Sequence, residues 1–202
     1  MIDNFELIKP LLHFDAPGNF YFVQVIQRKK DHKAENIRLG RNNNARLIKA
    51  YYIYSLEKLE EHKAEMIKLA DIFNARIGIN LNPRNDKKVA LDMLERLASS
   101  IKSEVYDVAK TYNSACGASL GTDKTWLVDL DTKDPAILQK VIIDIEVACE
   151  PFIPTKIIAQ IPTKNGIHLI TRAFNSKTFG DLNPEVSIHK NNPTVLYIPD
   201  SL

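Results

Sequence analysis

Lys124-Thr125-Trp126-Leu127-Val128-Asp129-Leu130-Asp131 is the stretch from which the fold can be read. Its aromatic and branched residues predict a β-strand. Side chains two apart on a strand share a face, so Asp129 and Asp131 project together while Val128 and Leu130 turn toward a core. Downstream, Asp134-Pro135 suits the N-cap and first position of a helix reaching about Ala148. Two strands follow, Lys156–Ile161 and Gly166–Ala173, joined by Pro162-Thr163-Lys164-Asn165. A short helix over Ser176–Leu182 leads to a last strand near Thr194–Ile198. The order strand–helix–strand–strand–helix–strand predicts a split βαβ palm, a mixed or antiparallel sheet with helices on one face. The expected class is α+β.

Upstream, Phe20–Ile26 and Arg46–Tyr54 read as strands. Ser55 is placed to cap a helix over Leu56–Phe73, on which Leu59, Met66, Ile67, Ala70 and Phe73 recur at helical spacing. Ala75–Leu81 alternates as a strand and ends at Pro83. Asn85 or Asp86 caps a further helix, with Val89, Met93, Leu94, Leu97 and Ile101 as its apolar stripe. Ser103–Ala118 is expected to be a short helix followed by a loop. This gives an N-terminal β-rich and helical unit, residues 1–118, packed beside the palm, residues 119–202. Any boundary falls near Tyr112–Gly121, within one compact whole.

Bulk properties narrow the function classes. The chain has 202 residues, 45% hydrophobic and 26% charged, which suits one globular domain with a real core. No apolar run is long enough to span a bilayer, and no secretory signal is evident at Met1–Phe5. Cys116 and Cys149 lie far apart without a C-x-x-C, as expected of free thiols in the cytoplasm. Net charge is only +2. Between Arg28 and Lys49, however, eight Lys and Arg residues face only Asp31 and Glu35, beside Gly40 and Asn42-Asn43-Asn44. Such a segment is either a solvated loop between strands or a loop that follows a nucleic-acid backbone by charge. Arg76 and Arg84 flank one strand and are either solvated or template-phosphate contacts. P-loop, dinucleotide-fold, zincin and nucleophile-elbow motifs are all absent.

Two motifs can carry chemistry. Adjacent carboxylates raise each other's pKa unless a cation lies between them, and hard Mg²⁺ or Mn²⁺ takes oxygen ligands and bridges phosphates. Asp129 and Asp131 are therefore candidate metal ligands, or else a strand residue and a turn residue. The second motif is Thr163-Lys164-Asn165-Gly166-Ile167-His168. Its turn offers a hydroxyl, an ammonium and backbone N–H groups to phosphate oxygens, and Gly166 permits unusual dihedrals or close backbone approach. His168 shares a face with Ile170 and Arg172. It is either a catalytic imidazole or a hydrogen-bonded strand residue.

A strand carrying D-x-D, a helix, and then a hairpin carrying [ST]-x-x-G-x-H resembles the catalytic core of the archaeo-eukaryotic primase superfamily. That superfamily includes primase-polymerases and the polymerase domains of bacterial end-joining ligases. The resemblance covers about residues 124–198 and implies an RRM-like palm. It implies that Asp129 and Asp131 hold Mg²⁺ or Mn²⁺ and that Thr163 and His168 contact a nucleoside triphosphate. Lys164, in the same turn, and Arg172, beside His168 on its face, join them as substrate-binding candidates. The family's third carboxylate lies on a later strand; Glu185 is the only acid between Pro184 and Thr194, and becomes the third metal candidate. Lys190, in the same stretch, is a phosphate or sugar contact. The implied activity is two-metal nucleotidyl transfer on DNA or RNA, in replication or repair of a phage or mobile element, with residues 28–49 as a nucleic-acid contact. The alternatives are a metal-dependent nuclease or phosphohydrolase on the same residues, and a non-catalytic nucleic-acid-binding protein with a degenerate primase fold.

Overall fold

Two antiparallel sheets, each backed by helices, face one another across part of their width. The computed structural model describes residues 1–31, 44–104, 106–119, 121 and 124–202. The first sheet contains β1 (Ile2–Asp3), β2 (Asn19–Arg28), β3 (Ala45–Ile53), β4 (Arg76–Ile79) and β10 (Thr194–Ile198), in the order β1-β10-β4-β2-β3. A two-residue strand, β5 (Arg84–Asn85), pairs with the start of β2. The second sheet contains β6 (Thr125–Leu130), β7 (Ile157–Pro162), β8 (Ile167–Arg172) and β9 (Ser187–His189), in the order β7-β8-β6-β9. Strand β8 lies between β6 and β7, the first two strands of the unit, which is the expected split βαβ arrangement. The α+β class and the antiparallel pairing both hold.

Alternation along β2 sorts the first sheet's faces. Tyr21, Val23 and Val25 are buried with Tyr51, Ile53, Ile77 and Ile79 against Leu59, Met66 and Ala70 of α2 (Leu56–Phe73). Ser55 caps α2 as expected, accepting from the Lys58 N–H at 3.3 Å. On the other face, Phe20 and Phe22 pack with Val89 of α3 (Asp86–Lys102) and with Ala115 and Cys116 of α4 (Val108–Ala118). Asn85 caps α3, and Asp107 caps α4 by accepting from the Lys110 N–H at 2.9 Å. The order expected over Ser103–Ala118 is thus reversed: the irregular stretch comes first and the helix second. The helix expected from the α3 spacing is present, but Leu94 and Ile101 of its apolar stripe are exposed and Val89 is the residue it buries.

The second sheet is sorted the same way. Val128, Leu130 and Leu169 are buried with Val141 of α5 (Pro135–Ile143), Ile145 of the π-helical turn that continues it to Ala148, and Phe179 of α6 (Ser176–Leu182). Asp134 caps α5, accepting from the Ala136 N–H at 2.8 Å. Lys156 is fully buried and donates to the carbonyls of Ile145 and Cys149, tying β7 to the end of that helix. The opposite face sends Leu127, Ile161 and Ile170 into the first sheet's core.

Strand β10 departs from expectation. Thr194–Ile198, expected as the last strand of the palm, lies in the first sheet between β1 and β4. The fourth palm strand is the three-residue β9. The chain therefore cannot be cut into 1–118 and 119–202 without removing a central strand from the first sheet.

A polar clamp joins the sheets. Arg84 is fully buried and donates to the Cys116 carbonyl at 2.9 Å, the Asn82 carbonyl at 2.8 Å and Asn191 Oδ1 at 2.7 Å. Asn82 exchanges two bonds with Thr125, donating to its carbonyl and accepting from its N–H, both at 2.9 Å. Burial pushes the guanidinium down to about 10, so it stays charged at neutral pH. Arg84 is a structural clamp and cannot reach a template. Among the described residues, no helix is long and apolar enough to cross a membrane.

Candidate active site

The site arises where the two sheets diverge. Along β6 and β8, Leu127 pairs with Ile170 and Asp129 with His168. Both pairs lie on the face turned toward the first sheet. Leu127 and Ile170 are in the core, and one pleat further on the sheets separate and the next pair meets solvent. The resulting cleft of about 340 Å³ has Asp129, Asp131, Thr163, Lys164 and His168 on one wall. Ile26, Arg28, Asp31, Arg76 and Gly78 form the other. That volume suits a small-molecule ligand.

His168 is 12% exposed and fixed at both ring nitrogens. Its Nε2 lies 3.4 Å from Asp129 Oδ1, and its Nδ1 lies 2.9 Å from the Thr194 hydroxyl. A ring whose Nδ1 accepts from Thr194 carries its proton on Nε2, facing Asp129. Thr194 comes from β10, so the misplaced strand supplies a contact that sequence reasoning missed. Asp131 is exposed just past the end of β6.

The β7–β8 hairpin is held by Thr163 and Gly166. The Thr163 N–H donates to the Gly166 carbonyl at 2.9 Å, and its hydroxyl oxygen accepts from the Gly166 N–H at 3.0 Å. The Thr163 hydroxyl hydrogen is not used in either bond. Gly166 is required by close approach: a Cβ there would lie 1.8 Å from the Leu130 carbonyl oxygen and 2.7 Å from the Thr132 nitrogen. A bare α-carbon lets the hairpin lie against the chain that carries Asp131. The Lys164 ammonium meets the Leu202 carbonyl.

Three expected site residues are not brought in. Arg172 is four residues beyond His168 on β8, beside Thr125, which places it ~13 Å along the strand on the far side of the Leu127–Ile170 pair. Lys190 follows β9 at the same far end, its ammonium 4.7 Å over the Trp126 ring. Glu185 is exposed in the turn after Pro184, outside β9, and does not line the cleft. The β9 residue beside Asp129 is Ser187. Among the described residues, no three His, Cys, Asp or Glu side chains are grouped closely enough to hold a metal.

The opposite wall holds what the sequence disguised. Asp31, which follows β2, is 7% exposed at its side chain and pairs with Arg76 of β4, Oδ1 to Nη2 at 2.6 Å. Of the basic segment, Arg28 lines the cleft, while Lys49 pairs with Glu65 of α2 at 2.5 Å and faces away. Lys33, Arg38 and Arg41 lie outside the described residues.

Comparison of the chain with protein-family models, with curated proteins and with solved structures finds no match to any of them.

Proposed function

We propose that the cleft is a divalent-metal-dependent nucleotidyl-transfer site of primase-polymerase type, taking a nucleoside triphosphate and a nucleic-acid strand. The reading is carried by one observation: Asp129, Asp131, Thr163, Lys164 and His168, drawn from a strand and from a hairpin some thirty residues later, share one wall of a ligand-sized cleft. Asp129 and Asp131 would hold Mg²⁺ or Mn²⁺, which supplies charge neutralisation at the phosphates and activation of an attacking hydroxyl.

The chain's own part is positioning and electrostatics. Thr163 donates its hydroxyl hydrogen to a phosphate oxygen, and Lys164 adds a positive charge from the same turn. His168, oriented by Thr194, keeps Asp129 in place and presents an N–H beside it. One pleat away on the same face, Leu127 and Ile170 are part of the core.

The test is incorporation of nucleotides into a primed template with Mn²⁺. Extension by the native chain is expected, with loss of more than 100-fold in folded Asp129→Asn and Asp131→Asn variants. Equal extension by folded Asp129→Asn would overturn the reading. A second reading, a nucleotide- or nucleic-acid-binding protein without catalysis, is favoured by Ser187 standing beside Asp129 where a third acid was sought. Metal-dependent nucleotide binding with no product, long or short, identifies that case, and strand shortening identifies a nuclease.

A further inference from the structure

The Asp31–Arg76 pair is poorly made for a purely structural ion pair. An arginine fork and a carboxylate normally meet through two parallel hydrogen bonds. Here one is formed, Nη2 to Oδ1 at 2.6 Å. The other half of each group is buried without a partner among the described residues: Asp31 Oδ2 and Arg76 Nε both lack a hydrogen bond. An orphaned buried polar atom loses its hydration without compensation, and here there are two in a single pair. They also lie in the wall of a cleft rather than in a core. Arg28 stands in the same wall as Arg76, whereas Lys164 lies opposite beside Asp129 and Asp131, so the positive charge of the cleft is concentrated on the Arg28–Arg76 side.

We infer that Arg76 is an anion-binding residue for a phosphate group, and that Asp31 occupies its fork as an internal stand-in until such a group displaces it. Tetrahedral phosphate oxygens can bond Nε and Nη2 together, which the Asp31 carboxylate does not do here. Arriving phosphate and Asp31 repel, so Asp31 leaves the fork as the ligand enters, and its carboxylate regains water. The pair then acts as a threshold: a weak or singly charged anion does not compete with Asp31, whereas a polyphosphate that also reaches Lys164 does. This rests on the cleft being a phosphate-ligand site, as proposed above, but it requires neither metal nor catalysis.

The experiment is calorimetric titration of inorganic tripolyphosphate into the full chain, with divalent metal removed by chelation. Asp31→Asn is expected to tighten binding at least fivefold and Arg76→Gln to weaken it at least tenfold. In the Arg76→Gln background, Asp31→Asn should bring no gain. Unchanged or weaker binding by a folded Asp31→Asn variant overturns the inference. Should either variant fail to fold, the native chain decides the matter. The Arg76 Nε–H resonance must shift on saturation with tripolyphosphate, and a stationary resonance overturns the inference equally. The two proposals fail separately. Tripolyphosphate binding through Arg76 without nucleotide incorporation removes the nucleotidyl-transfer reading alone. Incorporation by Arg76→Gln with native affinity for nucleotide removes the Arg76 inference alone.

Discussion

The two ends of the β6–β8 strand pair use one pleat for opposite purposes. Leu127 and Ile170, paired across the strands, are 5% and 1% exposed and belong to the core between the sheets. One pleat on, Asp129 and His168 stand on the same face at 32% and 12% side-chain exposure and line a cleft. Nothing in the strand geometry differs between them. What surrounds them does: the first pair is enclosed in the core that also holds Leu196, whereas the second opens on a cleft lined by Arg28, Arg76, Gly78 and Thr194. Whether a residue on this face is core or site depends on its distance from the place where the sheets part.

Substitutions can break this contrast, and the largest effect is expected at the closed end. Leu127→Asp puts a carboxylate into the shared core and should lower unfolding free energy by about 4 kcal/mol. The mirror substitution, Asp129→Leu, should leave stability within about 0.5 kcal/mol and abolish metal-dependent ligand binding. Urea denaturation and calorimetry on the same two proteins check both. Gly166→Ala should follow at about 3 kcal/mol, because the added methyl meets backbone rather than a yielding side chain. Tripolyphosphate affinity should fall with it as the hairpin shifts. Thr194→Val removes the hydroxyl from His168 Nδ1 with little change in shape, and should destabilise by about 1 kcal/mol. The His168 ring tautomer, read by nitrogen chemical shifts, should then become mixed. Smallest of all, Arg172→Ala and Lys190→Ala should change ligand affinity less than twofold, since both lie beyond the closed end. A tenfold loss in either would mean that ligand reaches further along the sheet than the cleft indicates.

The palm was legible because its strands carry period-two patterns and its turn carries Gly166. Alternation around Asp129 gave the face, and the hairpin residues gave the neighbour. Strand β10 was legible as a strand but not as to its sheet. Thr194–Ile198 is buried at every position, so it has no polar face to choose a side. Pairing with β1 and β4, over a hundred residues away, decides it. Glu185 was misplaced because Pro184 and the turn around it delay the strand to Ser187, leaving three residues of pairing. Asp31 was hidden by composition: one of two acids in a run of Lys and Arg reads as solvated, and its partner is 45 residues further on. The stripe on α3 failed differently. Its spacing is helical, but the sheet takes up Val89, while Leu94 and Ile101 face outward.

Strand β10 also governs the order in which the chain can assemble during synthesis. Strands β2, β3 and β4 emerge early, yet β4 keeps one edge open until residues 194–198 leave the ribosome. For most of translation the N-terminal half is an unfinished sheet with exposed backbone donors, a template for pairing with other chains. A fragment ending at residue 118 should therefore aggregate rather than fold, and adding a peptide of residues 187–202 in trans should restore its solubility.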